Sequence, residues 1–335
     1  MLKLILSRAL QGVVVLLVVS ALTFALLAAA GGDALGELAG EQGASEATLQ
    51  ELRRVYGLDE PLAARYAHWL SNLARGRMGE SFYYHAPVAS IIWPRLLRTL
   101  ALSAAALALA LSFSLVLGAL AARRRGGAWD RASEFIILLT ASTPRIVLAL
   151  IALAIVARTS WFPVGGAGGE TLADFSLLRL LPPAIVLALP LVALFLAQAR
   201  EGLSAALAQD FVQVARAKGL PERAVIMRHA LRDALNPLIT LFGYASGSVV
   251  SGSVIVETVL GWSGLGALSV NAVRHRDVPL LMGVVIVTAT AVLAGNLLAD
   301  ILLRLNDPRL RPRPSAHART SRRNRSSFNL PASGA

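Results

Sequence analysis

The sequence predicts an all-α integral membrane protein with six transmembrane helices and cytoplasmic N- and C-termini. Three observations predict it. Hydrophobic residue types make up 56% of the 335 residues against 16% charged, with mean hydropathy +0.62, whereas a soluble chain carries charge on about a quarter of its residues. Uncharged runs of roughly the 20 residues needed to cross a bilayer recur along the chain without the alternation of barrel strands. Basic residues, finally, concentrate in alternate connections between those runs.

The runs are residues 9–30, 99–122, 180–199, 234–256 and 278–299, with a sixth, 135–157, interrupted only by Arg145. A lone segment in lipid must satisfy its own backbone hydrogen bonds, so each reads as a helix. Lys3 and Arg8 before an apolar stretch that reaches Ala28-Ala29-Ala30 also resemble a secretory signal, but 22 uncharged residues exceed a signal's apolar core. With the N-terminus inside, the inner segments hold 20 Lys and Arg, and the outer ones hold 11, of which seven lie in a 68-residue loop too long to count. The excess sets the orientation.

The organisation expected is a first helix and outer cap loop (1–98), a five-helix core (99–303) with a cytoplasmic loop at 200–233, and an Arg-rich, disordered tail (304–335). In the outer loop, Leu49, Leu52 and Tyr56 predict one short helix ending at Gly57. Asp59, Glu60 and Pro61 start a second, along which Tyr66, Trp69, Leu70 and Leu73 form a stripe that Gly76 ends. This cap is either a lid on the outer helix ends or a partner surface. In the inner loop, Leu203, Leu207, Phe211 and Val214 follow spacings of 4, 4 and 3, and Gly219 and Pro221 mark a stop and a restart. The amphipathic pair needs something to pack on, a protein partner or interfacial lipid.

Several chemistries are excluded. Without cysteine there is no disulfide, thiolate nucleophile or thiolate zinc site. Neither lysine, Lys3 or Lys218, sits in a phosphate-binding Gly-Lys-Ser/Thr. The five histidines (68, 85, 229, 275 and 317) lie outside the spans and show no metal-ligand pairing, so neither metal nor cofactor is expected. The formal charge of +12 bears on orientation and anionic lipid, not on nucleic acid. Gly261-Trp262-Ser263-Gly264 reproduces an intramembrane serine protease motif, but its serine lacks a histidine from a later helix. Arg145, after Pro144, is the exception to an apolar membrane region. It either faces a watery path or pairs with a neighbouring helix or with carbonyls freed by the proline.

Taken in order on six oriented spans, the chain's short motifs resemble those of permease subunits of the dipeptide, oligopeptide and nickel family of ATP-binding cassette importers. They include Tyr56-Gly57-Leu58-Asp59-Glu60-Pro61, Gly76-Arg77-Met78-Gly79-Glu80-Ser81, Trp161-Phe162-Pro163 and Asp210 through Gly219 with Asn236-Pro237. Glu257, Gly261 through Gly266, Arg276-Asp277-Val278-Pro279 and Asp307-Pro308-Arg309 complete the set. The resemblance implies a type I importer permease fold in a bacterial or archaeal cytoplasmic membrane and a non-catalytic subunit. Its implied partners are a second homologous permease, separate ATPases and an extracytoplasmic substrate-binding protein. It implies a peptide, a nickel chelate or a related small solute as substrate. It also implies that residues 210–237 are a coupling loop, in which Phe211, Val214, Ala215, Arg216, Ala217, Lys218 and Gly219 meet the ATPase. Gln213-Val214-Ala215 stands where importers generally have Glu-Ala-Ala, so no glutamate takes a coupling role here. Arg77, Ser263 and Arg145 also depart from the family pattern.

Overall fold

The structure, a computed structural model, describes residues 2–29, 60–159 and 177–306. The expected helix at Leu49–Tyr56, Trp161-Phe162-Pro163 and the tail beyond residue 306 lie outside the described residues. The helices are α1 (Leu2–Ala29), α2 (Leu62–Ala74), α3 (Val88–Arg123), α4 (Ala128–Ser142), α5 (Arg145–Arg158) and α6 (Leu177–Leu207). They continue with α7 (Asp210–Ala217), α8 (Leu231–Leu260), α9 (Leu265–Arg274) and α10 (Val278–Asn306). A single turn at Glu222–Ala224 and a π-helical segment at Val225–Ala230 lead into α8.

Among the described residues, α1, α3, α6, α8 and α10 are each long and apolar enough to span a membrane. The third expected span is not one helix. It is α4 and α5, bent by 99° at the break between them. Pro144 has no N–H to give and disfavours helix in the residue before it, so Thr143 is extended (φ −94°, ψ 120°) and its hydroxyl bonds back to the Leu139 carbonyl at 2.7 Å. Arg145 therefore opens a helix instead of sitting inside one. The second span also starts 11 residues before the uncharged run, at Val88. The two arginines of this added stretch are accommodated: Arg95 donates to the Ile91 carbonyl, and Arg98 is buried.

Lipid tails are as apolar as leucine, so close packing, not water exclusion, brings these helices together, and small residues let backbones approach. A Cβ on Gly118 of α3 would lie 2.9 Å from Ala199 of α6. One on Gly243 of α8 would lie 2.7 Å from Ala299 of α10, and Gly247, one turn on, faces Val292. Around these contacts α3, α6 and α8 share a core that includes Leu102, Ala106, Leu187, Phe195, Leu238 and Val249. α2 lies across the C-terminal half of α1. Tyr66 shares a hydrogen bond of 2.8 Å with Ser20 and packs its ring on Phe24 and Trp69. The expected stripe thus caps the first span, and Gly76 ends α2 at φ +76°. At the basic end, Arg200 of α6 bridges Asp130 (2.5 Å) and Glu134 (2.7 Å) of α4, while Arg125 reaches Glu201 and Ser204.

Candidate functional site

The loop at 200–233 builds a small surface unit. α6 runs through to Leu207, the chain breaks at Ala208 and Gln209, and α7 begins at Asp210 with Gln209 as its N-cap. Because of that break the expected stripe divides. Leu203 and Leu207 are buried at the end of α6, whereas Phe211 and Val214 are 43% and 53% exposed. Val212 and Ala215 hold α7 down instead, packed with Ala122, Leu203, Ala206, Val225 and Ile226. Ala215, expected to face a partner, is 5% exposed and packs inward. Three residues earlier, the β-branched Val212 shares its helix face.

α7 stops in a Schellman arrangement. Leu220 donates to the Ala215 carbonyl and Gly219 to the Arg216 carbonyl, with Gly219 left-handed at φ +75° and Lys218 as C-cap. Nothing lies within 4 Å of a Cβ built on Gly219, so the glycine serves the backbone alone. Pro221 then starts the next turn, and Arg216 clasps Glu222 across the bend with two bonds, 2.7 and 3.2 Å. That bond holds the Glu222 carboxyl below its usual range and raises the Arg216 guanidinium. The exposed face of α7 is thus Phe211, Gln213, Val214, Arg216 and Ala217, followed by Lys218.

At the opposite end, the Gly261–Gly266 motif wraps a buried carboxylate. Glu257, 0% exposed, accepts from the Thr99 hydroxyl at 2.8 Å and the Ala267 amide at 3.0 Å, and the Leu265 amide donates to the Thr99 oxygen. A Cβ on Gly264 or Gly266 would meet the Glu257 carboxylate. Trp262 is buried and donates to the Arg98 carbonyl. The motif joins α8 to α3 and α9, and Thr99 is the member that the sequence left unsignalled. His275, the nearest downstream histidine to Ser263, stacks on Tyr83 at 3.7 Å between centroids. That stacking supplies a structural use for the ring.

Arg145 reaches α8, where it donates to Ser248 Oγ at 3.0 Å and to the Ser248 carbonyl at 3.4 Å. A Cβ on Gly252 would collide with its guanidinium, so Gly252 is the notch that admits it. Ser248 and Gly252, small residues one turn apart, are the signal that could have pointed to the site.

This bundle of long apolar helices joined by small-residue contacts, with an amphipathic unit on one face, defines a polytopic membrane protein. The match to known proteins is more particular. Residues 114–312 match the model of the binding-protein-dependent transport system inner membrane component, and residues 1–103 match that of its N-terminal part. The chain belongs to that family and is a multi-pass protein of the cytoplasmic membrane. It is 36% identical over 313 residues to the oligopeptide transport system permease protein AppB of Bacillus subtilis, covering 91% of this chain and 98% of the relative. It is 36% identical over 318 residues to a putative peptide permease protein of Brucella suis (93% and 99%). To a probable peptide ABC transporter permease protein of Sinorhizobium fredii it is 33% identical over 310 residues (92% and 98%).

Proposed function

We propose that this chain is one of two permeases of an ATP-driven importer of di- or oligopeptides, coupled through α7 to ATPases on separate chains. The relatives' names support a peptide substrate. The single observation that carries the coupling assignment is α7 itself. Phe211 and Val214 are left exposed on a helix that Val212 and Ala215 anchor from beneath. Such a helix moves with the body it is fixed to, which a rigid-body transmission requires.

In this reading ATP draws the two ATPases together and α7 carries the movement into α6 and α8. The two permease bundles then rock between inward-open and outward-open around a shared path. The largely buried Arg200–Asp130 ion pair, extended by Glu134, ties α4 to α6 at their basic end. The excess of basic residues in alternate connections supports placing that end in the cytoplasm. A substrate-binding protein would dock at the other end, near α2 and α9. The test is reconstitution: the chain with its partner permease, ATPases and binding protein should take up peptide only when ATP is present, and the chain alone should hydrolyse none. Uptake by the chain alone would overturn the assignment.

A further inference from the structure

α8 leaves one face uncovered by the rest of the chain, formed by Pro237, Thr240, Tyr244, Ser251, Ile255 and Thr258. Four of those six carry hydroxyls. The uncovered face of α1, by contrast, is aliphatic, with Leu6, Leu10, Val14, Leu22 and Leu26 exposed. A hydroxyl face midway through a membrane is suited to a polar path, whereas an aliphatic one is suited to lipid. Arg145 borders the hydroxyl face: its partner Ser248 follows Tyr244 by one turn, about midway between Ala234 and Leu260.

The charge balance there is one-sided. Arg145 has no carboxylate partner among the described residues, only the hydroxyl and carbonyl of Ser248. The acidic side chains of the neighbouring spans are engaged elsewhere, Glu257 with Thr99 and Asp300 with Arg8 at 2.6 Å. Arg145 also occupies the first position of α5, whose N-cap, Pro144, offers no side-chain hydrogen bond. A helix N-terminus carries partial positive charge, so a cation there adds to the potential instead of compensating it. The Tyr244 hydroxyl, 69% exposed as a residue, has no partner among the described residues and supplies a further donor on the same ridge. A planar guanidinium beside the Ser248 hydroxyl matches a carboxylate, which it can bind through two parallel bonds.

We infer that Arg145, seated in the Gly252 notch on Ser248, one turn along α8 from Tyr244, is a station for the C-terminal carboxylate of a peptide crossing the membrane. The inference rests on the peptide-importer reading and deepens it. Its test uses the full reconstituted complex with saturating binding protein, comparing uptake of trialanine and of trialanine amide at equal amounts of assembled complex. Arg145→Met should lower uptake of the free acid about tenfold, the loss expected for a hydrogen-bonded charge, and leave the amide within about twofold. Arg145→Lys should retain part of the acid uptake, because it keeps the charge and loses the fork. If both peptides fall in parallel, if neither falls, or if lysine and methionine behave alike on the acid, the station is overturned and the importer reading stands. If the unmodified complex moves neither peptide in an ATP-dependent way, the peptide reading fails and the station fails with it.

Discussion

Thr99 gives its hydroxyl hydrogen to Glu257 at 2.8 Å, joining the second span, three turns into α3, to the end of the fifth across 158 residues of chain. The same oxygen receives the Leu265 amide, so one hydroxyl satisfies a buried carboxylate and a buried N–H together. Thr99→Val keeps the shape and removes both bonds. The unfolding midpoint of the detergent-solubilised protein should fall by an amount corresponding to about 1–3 kcal/mol, and Thr99→Ser should restore most of it. An unchanged midpoint with valine would mean that the motif is held by packing alone.

At Gly219 the surroundings are empty and only the backbone is demanding, with φ at +75°. Gly219→Val should therefore cost roughly 1–2 kcal/mol locally, leaving the six-span protein inserted while displacing Lys218 and the end of α7. ATP-driven uptake should drop severalfold at normal membrane abundance. Gly219→Asn, which tolerates the left-handed region, should retain more activity than valine. Equal uptake by valine and glycine would remove the turn from the coupling account.

The bend after α7 should also be sensitive to acid. Arg216 holds the Glu222 carboxyl below its ordinary value, so the clasp is fully formed above the unfolded carboxylate range, near pH 4.3. It is lost as pH falls through the lower folded value. Both partners are near half exposed, so the effect is small and salt-sensitive. A spin label introduced by Gln213→Cys should mobilise only once the pH is below the ordinary carboxylate range in the otherwise unmodified chain. With Glu222→Gln it should be mobile already at pH 7, and a mobility that ignores both pH and this substitution would rule out the clasp.

Most of the fold was legible because bilayer thickness imposes a length that hydropathy reports directly, as at 9–30 and 278–299, where α1 and α10 lie. The bend at Pro144 was hidden for the same reason: average hydropathy over 135–157 does not register whether the chain turns. The register of the unit at 200–233 differs from the periodicity reading because the stripe Leu203, Leu207, Phe211 and Val214 runs across a break at Ala208. A periodicity reading assumes one continuous helix, and the break rotated α7 so that Val212 and Ala215 face inward. Arg145 stood out as a charge in an apolar run, but its partners Ser248 and Gly252 are about a hundred residues away and have no charge to announce them. Such pairings arise only from tertiary packing.

The central claim is that the exposed edge of α7 docks on an ATPase, and the absence of cysteine allows a direct measurement. Single substitutions Phe211→Cys, Val212→Cys, Val214→Cys and Ala215→Cys, each carrying a short photo-crosslinker, are irradiated in native membranes that contain the whole transporter. The account predicts crosslinks to the ATPase from positions 211 and 214, and only intramolecular products from 212 and 215. Crosslinks from 211 and 214 to lipid alone, with the ATPase present in the same membranes, would contradict it.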